Sequence, residues 1–328
     1  MSENRVPRPR RRRPLRAAVG LLVLLAVVGY FAVQRASNGG GGAPFCVASA
    51  NRDDTGGTTE SYEMSPEQAA NAATIAAVGV AKGLPDRAVT IALATAMQES
   101  ALRNLDHGDR DSLGLFQQRP SMGWGTPEQI TDPVYSAGIF YDRLVDVPGY
   151  SRLPLTVAAQ KVQRSGFPQA YAKHEPDATV LTAAFAGGGS LDCGGPRPAG
   201  PGDPEKVRTE MIRIFGKDGL HTLPPQAGQA GQAGRNGGGG KGVAEAEVTL
   251  REKANGGEAA VRLSRAMAHW AVANSREMGI SRVSYDRRAW VGGQDRGRWQ
   301  VKGAAGAKDG DGDPHDANPG EVRIFMAR

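Results

Sequence analysis

Pro85 opens a helix that runs to about Ser100, and ten of its residues in succession, Ala88 to Met97, carry no charge. A helix that is apolar on every side is a buried one, so whatever this chain folds into has to enclose it. Glu99 follows two residues later. Thr95, Ala92 and Ile91 lie at i−4, i−7 and i−8 from it, which gives its face of the helix small apolar neighbours. A carboxylate there loses hydration and meets the negative end of the helix dipole, an effect of about 0.3 to 1 kcal/mol. Both effects favour the protonated form. The spacing therefore predicts a raised pKa at Glu99, as a general acid working near neutral pH requires. The plainer alternative is that Glu99 marks the point where a buried helix reaches solvent.

Fourteen residues beyond Ser100 comes Gly114-Leu115-Phe116-Gln117. A glycosidase subsite needs backbone that can approach a sugar, an apolar face, and an amide able to bond an N-acetyl group. These four residues carry such groups in order, although an ordinary connection with core Leu and Phe has the same composition. Trp124 follows in the glycine-bearing loop Arg119 to Gly125, where an indole either stacks on a sugar or packs over the loop. Asp106, Asp109 and Asp111 occupy the intervening loop and read as solvated acids, with a second catalytic carboxylate as the alternative.

Glu99-Ser100 closing a helix, with Gly114-Leu115-Phe116-Gln117 after it, resembles the signature of the lysozyme-like transglycosylase superfamily, which includes soluble lytic transglycosylases and resuscitation-promoting factors. The resemblance covers about residues 65 to 190 and implies a helical fold with a peptidoglycan cleft. By match, Glu99 takes the place of the catalytic acid, Ser100 that of its neighbour, and Gly114 to Gln117 that of the glycan-contacting turn. Trp124 is added as a substrate-binding candidate. The family's third motif, Ala-Tyr-Asn-Ala-Gly, is replaced by Ala184-Phe185-Ala186-Gly187-Gly188, which lacks the tyrosine hydroxyl and the asparagine amide. The implied reaction is cleavage between N-acetylmuramic acid and N-acetylglucosamine, as a lytic transglycosylase or muramidase, with peptidoglycan glycan strands as partner and no cofactor or metal. A non-catalytic wall-binding or scaffold protein that keeps the cleft without turnover is the second reading.

The first sixteen residues hold seven arginines and one acid, and an uncharged run follows from Ala17 to Val33. This pattern reads as a single-pass signal anchor over 17–35 with a cytoplasmic tail, 1–16, and the bulk of the chain outside the membrane. A cleaved signal peptide is the rival. The net charge of +6 resides entirely in that tail, because the other residues hold 33 basic and 33 acidic side chains. A nucleic-acid partner is therefore not indicated.

Beyond a glycine-rich linker, 36–45, the expected organisation is a mainly α lysozyme-like domain over 46–217, a disordered linker over 218–242, and a small α+β module over 243–328. The two cysteines, Cys46 and Cys193, lie near the ends of the helical region. One disulfide between them is expected, with two buried thiols as the alternative. In the last segment Trp270, Trp290 and Trp299 read as the core of a small module. The pattern Trp270 to Asn274, then Gly279-Ile280 leading to Tyr285 and Trp290, is similar to a C-terminal module of secreted actinobacterial cell-wall proteins. Asp309-Gly310-Asp311-Gly312-Asp313 imitates the opening of a calcium loop, but Pro314 and Gly320 stand at positions six and twelve.

Overall fold

Ser65 starts the first helix, α1 (Pro66–Ala81), through a reciprocal cap: its hydroxyl accepts from Gln68 N at 3.2 Å while Gln68 Oε1 accepts from Ser65 N at 3.0 Å. The chain turns at Gly83, whose φ of 68° suits glycine, and Pro85 caps α2 (Asp86–Ser100). Every residue from Ala88 to Met97 is buried, as the uncharged run predicts. The same holds for Asn71 to Val80 of α1. The computed structural model describes residues 44–50, 60–165, 168–196, 198, 200–217, 220–223, 247–252, 257–294, 297–301, 317 and 320–328.

Around this pair lie α3 (Pro127–Ile130), α4 (Pro133–Val145), α5 (Leu155–Gln163), α6 (Glu175–Phe185) and α7 (Pro204–Phe215). Further on come α8 (Glu258–Ala273) and α9 (Ser275–Met278), with short 3₁₀ helices at Pro120–Met122 and Pro168–His174. α2 packs against α6, and α1 packs between α4 and α8. Tyr141 of α4 donates its hydroxyl to Ile75 O at 3.0 Å, and Gly79 leaves the room for that ring, since a Cβ there would sit 2.7 Å from the hydroxyl.

Two antiparallel sheets complete the body. The first has the order β2-β1-β3, from β1 (Phe45–Ser49), β2 (Ser61–Met64) and β3 (Ser190–Gly194). Cys46 and Cys193 stand opposite one another in the β1–β3 register and form the disulfide, closing a loop with a sequence separation of 147. For a loop of that size the ideal chain-entropy contribution is about 5 kcal/mol. The second sheet runs β4-β5-β9-β6-β7-β8, from β4 (Leu220–Leu223), β5 (Glu247–Glu252), β6 (Ile280–Tyr285), β7 (Arg288–Val291), β8 (Gln300–Val301) and β9 (Glu321–Met326).

This architecture corrects the expected fold class. In place of a mainly α domain joined to a separate small α+β module, the described residues form nine α-helices and two antiparallel sheets within one compact unit, Pro44–Arg328. The physical reason lies in α8, where Ala266 to Ala273 are buried without a gap. A helix buried all round cannot serve a two-layer module with one open face; it is covered by its own sheet and by α1. The tryptophans make the join. Trp270 Nε1 donates to Thr74 Oγ1 at 3.1 Å, Trp290 Nε1 to Cys193 O at 3.3 Å, and Trp299 Nε1 to Leu191 O at 2.8 Å.

The segment expected as linker contributes β4 to the second sheet, paired with β5. Among the described residues no helix is long and apolar enough to cross a membrane, which removes a membrane-spanning helix from the observed fold. The segment 17–35 read as an anchor, the tail 1–16, residues 36–43 of the first linker, residues 224–242 of the second and the acidic stretch 309–313 lie outside the described residues.

Candidate active site

Glu99 stands on the last turn of α2, and the chain leaves that helix through two successive left-handed residues, Ala101 (φ 52°) and Leu102 (φ 61°). Such a conformation costs a non-glycine residue roughly 1 to 2 kcal/mol, so neighbours have to hold it. Here the neighbours are on α1: Gln68 Nε2 donates to Ala101 O at 2.9 Å and Asn71 Nδ2 to Leu102 O at 2.8 Å. Ser100, buried, donates its hydroxyl to Ala96 O at 3.0 Å and Leu115 O at 2.8 Å, fastening the helix end to the following turn. The end of α2 is thereby clamped from both sides.

The Glu99 carboxyl is half-buried and accepts a hydrogen bond from the Tyr171 hydroxyl at 2.6 Å. Its pKa is raised. Burial is the dominant cause, and hydrogen bonds from Tyr171 and Gln163 oppose it by favouring the charged form. Tyr171, from the 3₁₀ helix Pro168–His174, is fully buried, and its hydroxyl is pushed well above the usual tyrosine range, first by burial and then by the charge of Glu99. Its proton therefore stays on the tyrosine.

The turn after Glu99 closes with Leu113 and Gln118 paired backbone to backbone, N to O at 2.9 Å and 3.0 Å. Gly114 has φ 73°, and a Cβ there would lie 2.5 Å from Ile130 O, so glycine is required on two counts. Leu115 and Phe116 are fully buried, and Phe116 stacks on Phe140 with ring centres 4.6 Å apart. Gln117 is half-buried, with Nε2 at 3.3 Å from both His107 O and Gly114 O. Gln163 Nε2 donates to Phe116 O at 2.7 Å, which ties the end of α5 to the same turn.

Glu99, Gln117 and Trp124 line one cleft of about 1110 Å³. Ser100, Gly114, Leu115 and Phe116 are not among its lining residues; they stand behind it as supports. The same cleft is lined by Arg143 from α4 and by Lys161, Gln163 and Arg164 from α5 and its end. Of the loop acids, Asp109 lines the cleft. Asp106 is bonded to His107 at 2.7 Å, and Asp111 is held by Arg119 at 2.8 Å, which keeps its carboxyl far below the usual range. Among the described residues no three His, Cys, Asp or Glu side chains gather so as to hold a metal ion.

No family model and no curated protein matches the chain.

Sequence reasoning placed Glu99 and Gln117 in the cleft; of the two options for Trp124 the structure takes the packed one, with the indole buried under Arg143 at the cleft lining. That reasoning did not find Tyr171, Gln163, Arg143 or Arg164. The phenol at Tyr171 had no nearby signal, because its partner lies 72 residues away. For Arg164, the left-handed backbone (φ 53°) at the end of α5 is visible only in three dimensions.

Proposed function

We propose that the protein acts on peptidoglycan and cleaves the glycosidic bond between N-acetylmuramic acid and N-acetylglucosamine, with Glu99 as general acid and then general base. The observation that carries this reading is a half-buried carboxyl, raised by desolvation, on the wall of a cleft large enough for several sugar rings. Glu99 protonates the bridging oxygen. The resulting carboxylate then activates the muramyl C6 hydroxyl, giving a 1,6-anhydro product, or activates water.

Tyr171 supports the second half of this cycle. Its hydroxyl stabilises the carboxylate left after proton donation, and its own raised pKa keeps it a donor throughout. The same bond answers the departure at Ala184 to Gly188, because a tyrosine hydroxyl reaches the acid from a different element. The likeness to lytic transglycosylases in the two motifs around Glu99 and Gly114 supports the same chemistry. Gln117 offers the sugar an amide at the lining of the cleft, whereas Trp124 is buried with its ring under the Arg143 guanidinium and supports that arginine instead.

The disulfide suits an oxidising compartment, and the arginine-rich start followed by the uncharged run 17–33 supports placing the body on the outer face of a cell membrane. The wall would then be within reach. The test uses purified wall: the full-length protein should clear a wall suspension, and Glu99→Gln should lower the rate by at least about 100-fold while wall binding persists. Clearing by the Gln variant at the unaltered rate would refute the assignment. Mass spectrometry of the digest separates the two products, since the anhydro sugar is lighter by one water.

A further inference from the structure

The cleft that Glu99 lines is rich in cations. Arg143 lays its guanidinium 3.5 Å from the centre of the Trp124 ring and donates from Nη2 to Gly123 O at 2.6 Å. The cation–π contact and this bond together hold the guanidinium in place. Arg164 ends α5 in the left-handed region and lines the same cleft with an exposed side chain. Its charge bears on Arg143: burial first, and then repulsion from Arg164, hold the Arg143 guanidinium below its usual range.

Two like charges are thus brought to one site. Among the described residues, neither arginine pairs with a carboxylate. Asp109 and Asp146 line the cleft too, but Asp109 approaches Arg110, at 4.0 Å, and Asp146 forms no ion pair with either arginine. Repulsion of this kind weakens when an anion sits between the two groups, and a planar guanidinium matches the two oxygens of a carboxylate.

We propose that Arg143 and Arg164 form a carboxylate subsite of the cleft, which holds an acidic substituent of the glycan strand while Glu99 faces the bond to be cut. The assignment rests on the glycan reading above and deepens it: the preferred substrate is an anionic strand rather than a neutral one. The carboxylate has two sources in the wall, the lactyl ether of muramic acid freed of its peptide and the stem peptide itself. Both present the same group to the arginines.

The experiment titrates full-length protein carrying Glu99→Gln, which prevents turnover, with three glycans of equal length. One is an uncharged chitooligosaccharide, one carries free lactyl carboxylates, and one carries stem peptides. At low salt, at least one acidic strand should bind about tenfold tighter than the neutral one, with the advantage fading as salt rises. The strand that gains identifies the source of the carboxylate. Adding Arg164→Gln, at an exposed position, should bring the ratio of affinities close to one, whereas Arg164→Lys should retain most of it. Equal affinity for all three strands overturns the subsite and leaves the glycan reading standing. An Arg164→Gln variant weakened equally toward all three does the same. Failure of every strand to bind overturns both.

Discussion

The Tyr171 hydroxyl donates to Glu99 Oε1 at 2.6 Å, joining a 3₁₀ helix to the end of α2 across 72 residues. Burial and hydrogen bonding act on this carboxyl in opposite directions, and burial wins. Removing the bond should therefore push the carboxyl further toward its neutral form. In Tyr171→Phe the pKa of Glu99 should rise above that of the parent protein, and the alkaline limb of the pH–rate profile should move up with it. Carbon NMR of the Glu99 carboxyl reads the shift directly. A value that falls or stays put would show that the hydroxyl does not govern this acid.

Glu99 also links stability to pH. Its folded pKa lies above the unfolded value, so the native state binds the proton more tightly than the unfolded chain does. The charged form is penalised in the fold; stability is highest below the ordinary glutamate range and declines as pH rises through the raised folded pKa. Glu99→Gln removes the charge, and at neutral pH it should melt roughly a few degrees above the parent. Below about pH 4 the two melting curves should converge, because both states of the parent are then protonated. Thermal melts at pH 4 and pH 8 are enough to decide the matter.

Gly114→Ala tests the turn. A methyl group there would meet Ile130 O at 2.5 Å on a backbone with φ 73°, so the strain and the clash add. A loss of about 2 kcal/mol or more is expected in denaturant unfolding. Since Ser100 and Gln163 both bond this turn, at Leu115 O and Phe116 O, its displacement should also lower any activity by more than the lost stability explains.

Calorimetry can show whether the C-terminal stretch unfolds with the rest. Trp270, Trp290 and Trp299 all donate indole N–H groups to residues before Gly195, and α8 covers α1. A single transition is expected for Pro44–Arg328, with Trp270→Ala costing about 3 to 5 kcal/mol. Deletion of residues 243–328 should leave a chain that does not fold, because the buried stripe of α1 would face water. Two separate transitions would mean that the segments are independent.

Several elements have purely local causes. The Ser65–Gln68 cap, the Asp203 start of α7 and the last strand, Glu321–Met326, can be read from residues a few positions apart. Of the first sheet, only the Cys46–Cys193 contact could be read in advance. β1 pairs with β3 only after the chain has passed through six α-helices, and although the two cysteines mark the contact, nothing local announces that the segments around them are paired strands. α8 carried a warning: Ala266 to Ala273 includes no charge if His269 is neutral, the same pattern that marked α2 as buried.

The sequence by itself determined that α2 would be enclosed and that Glu99 would sit at its less hydrated end, because charge content and helical spacing are properties of neighbouring residues. It also pointed to Cys46 and Cys193 as the pair to bridge. Only the tertiary structure decided that the C-terminal stretch joins the helices in one body, that Leu115 and Phe116 turn inward, and that Tyr171 reaches Glu99. Those outcomes depend on which distant surfaces come to exclude water together, and pairings between groups far apart along the chain leave no trace in local composition.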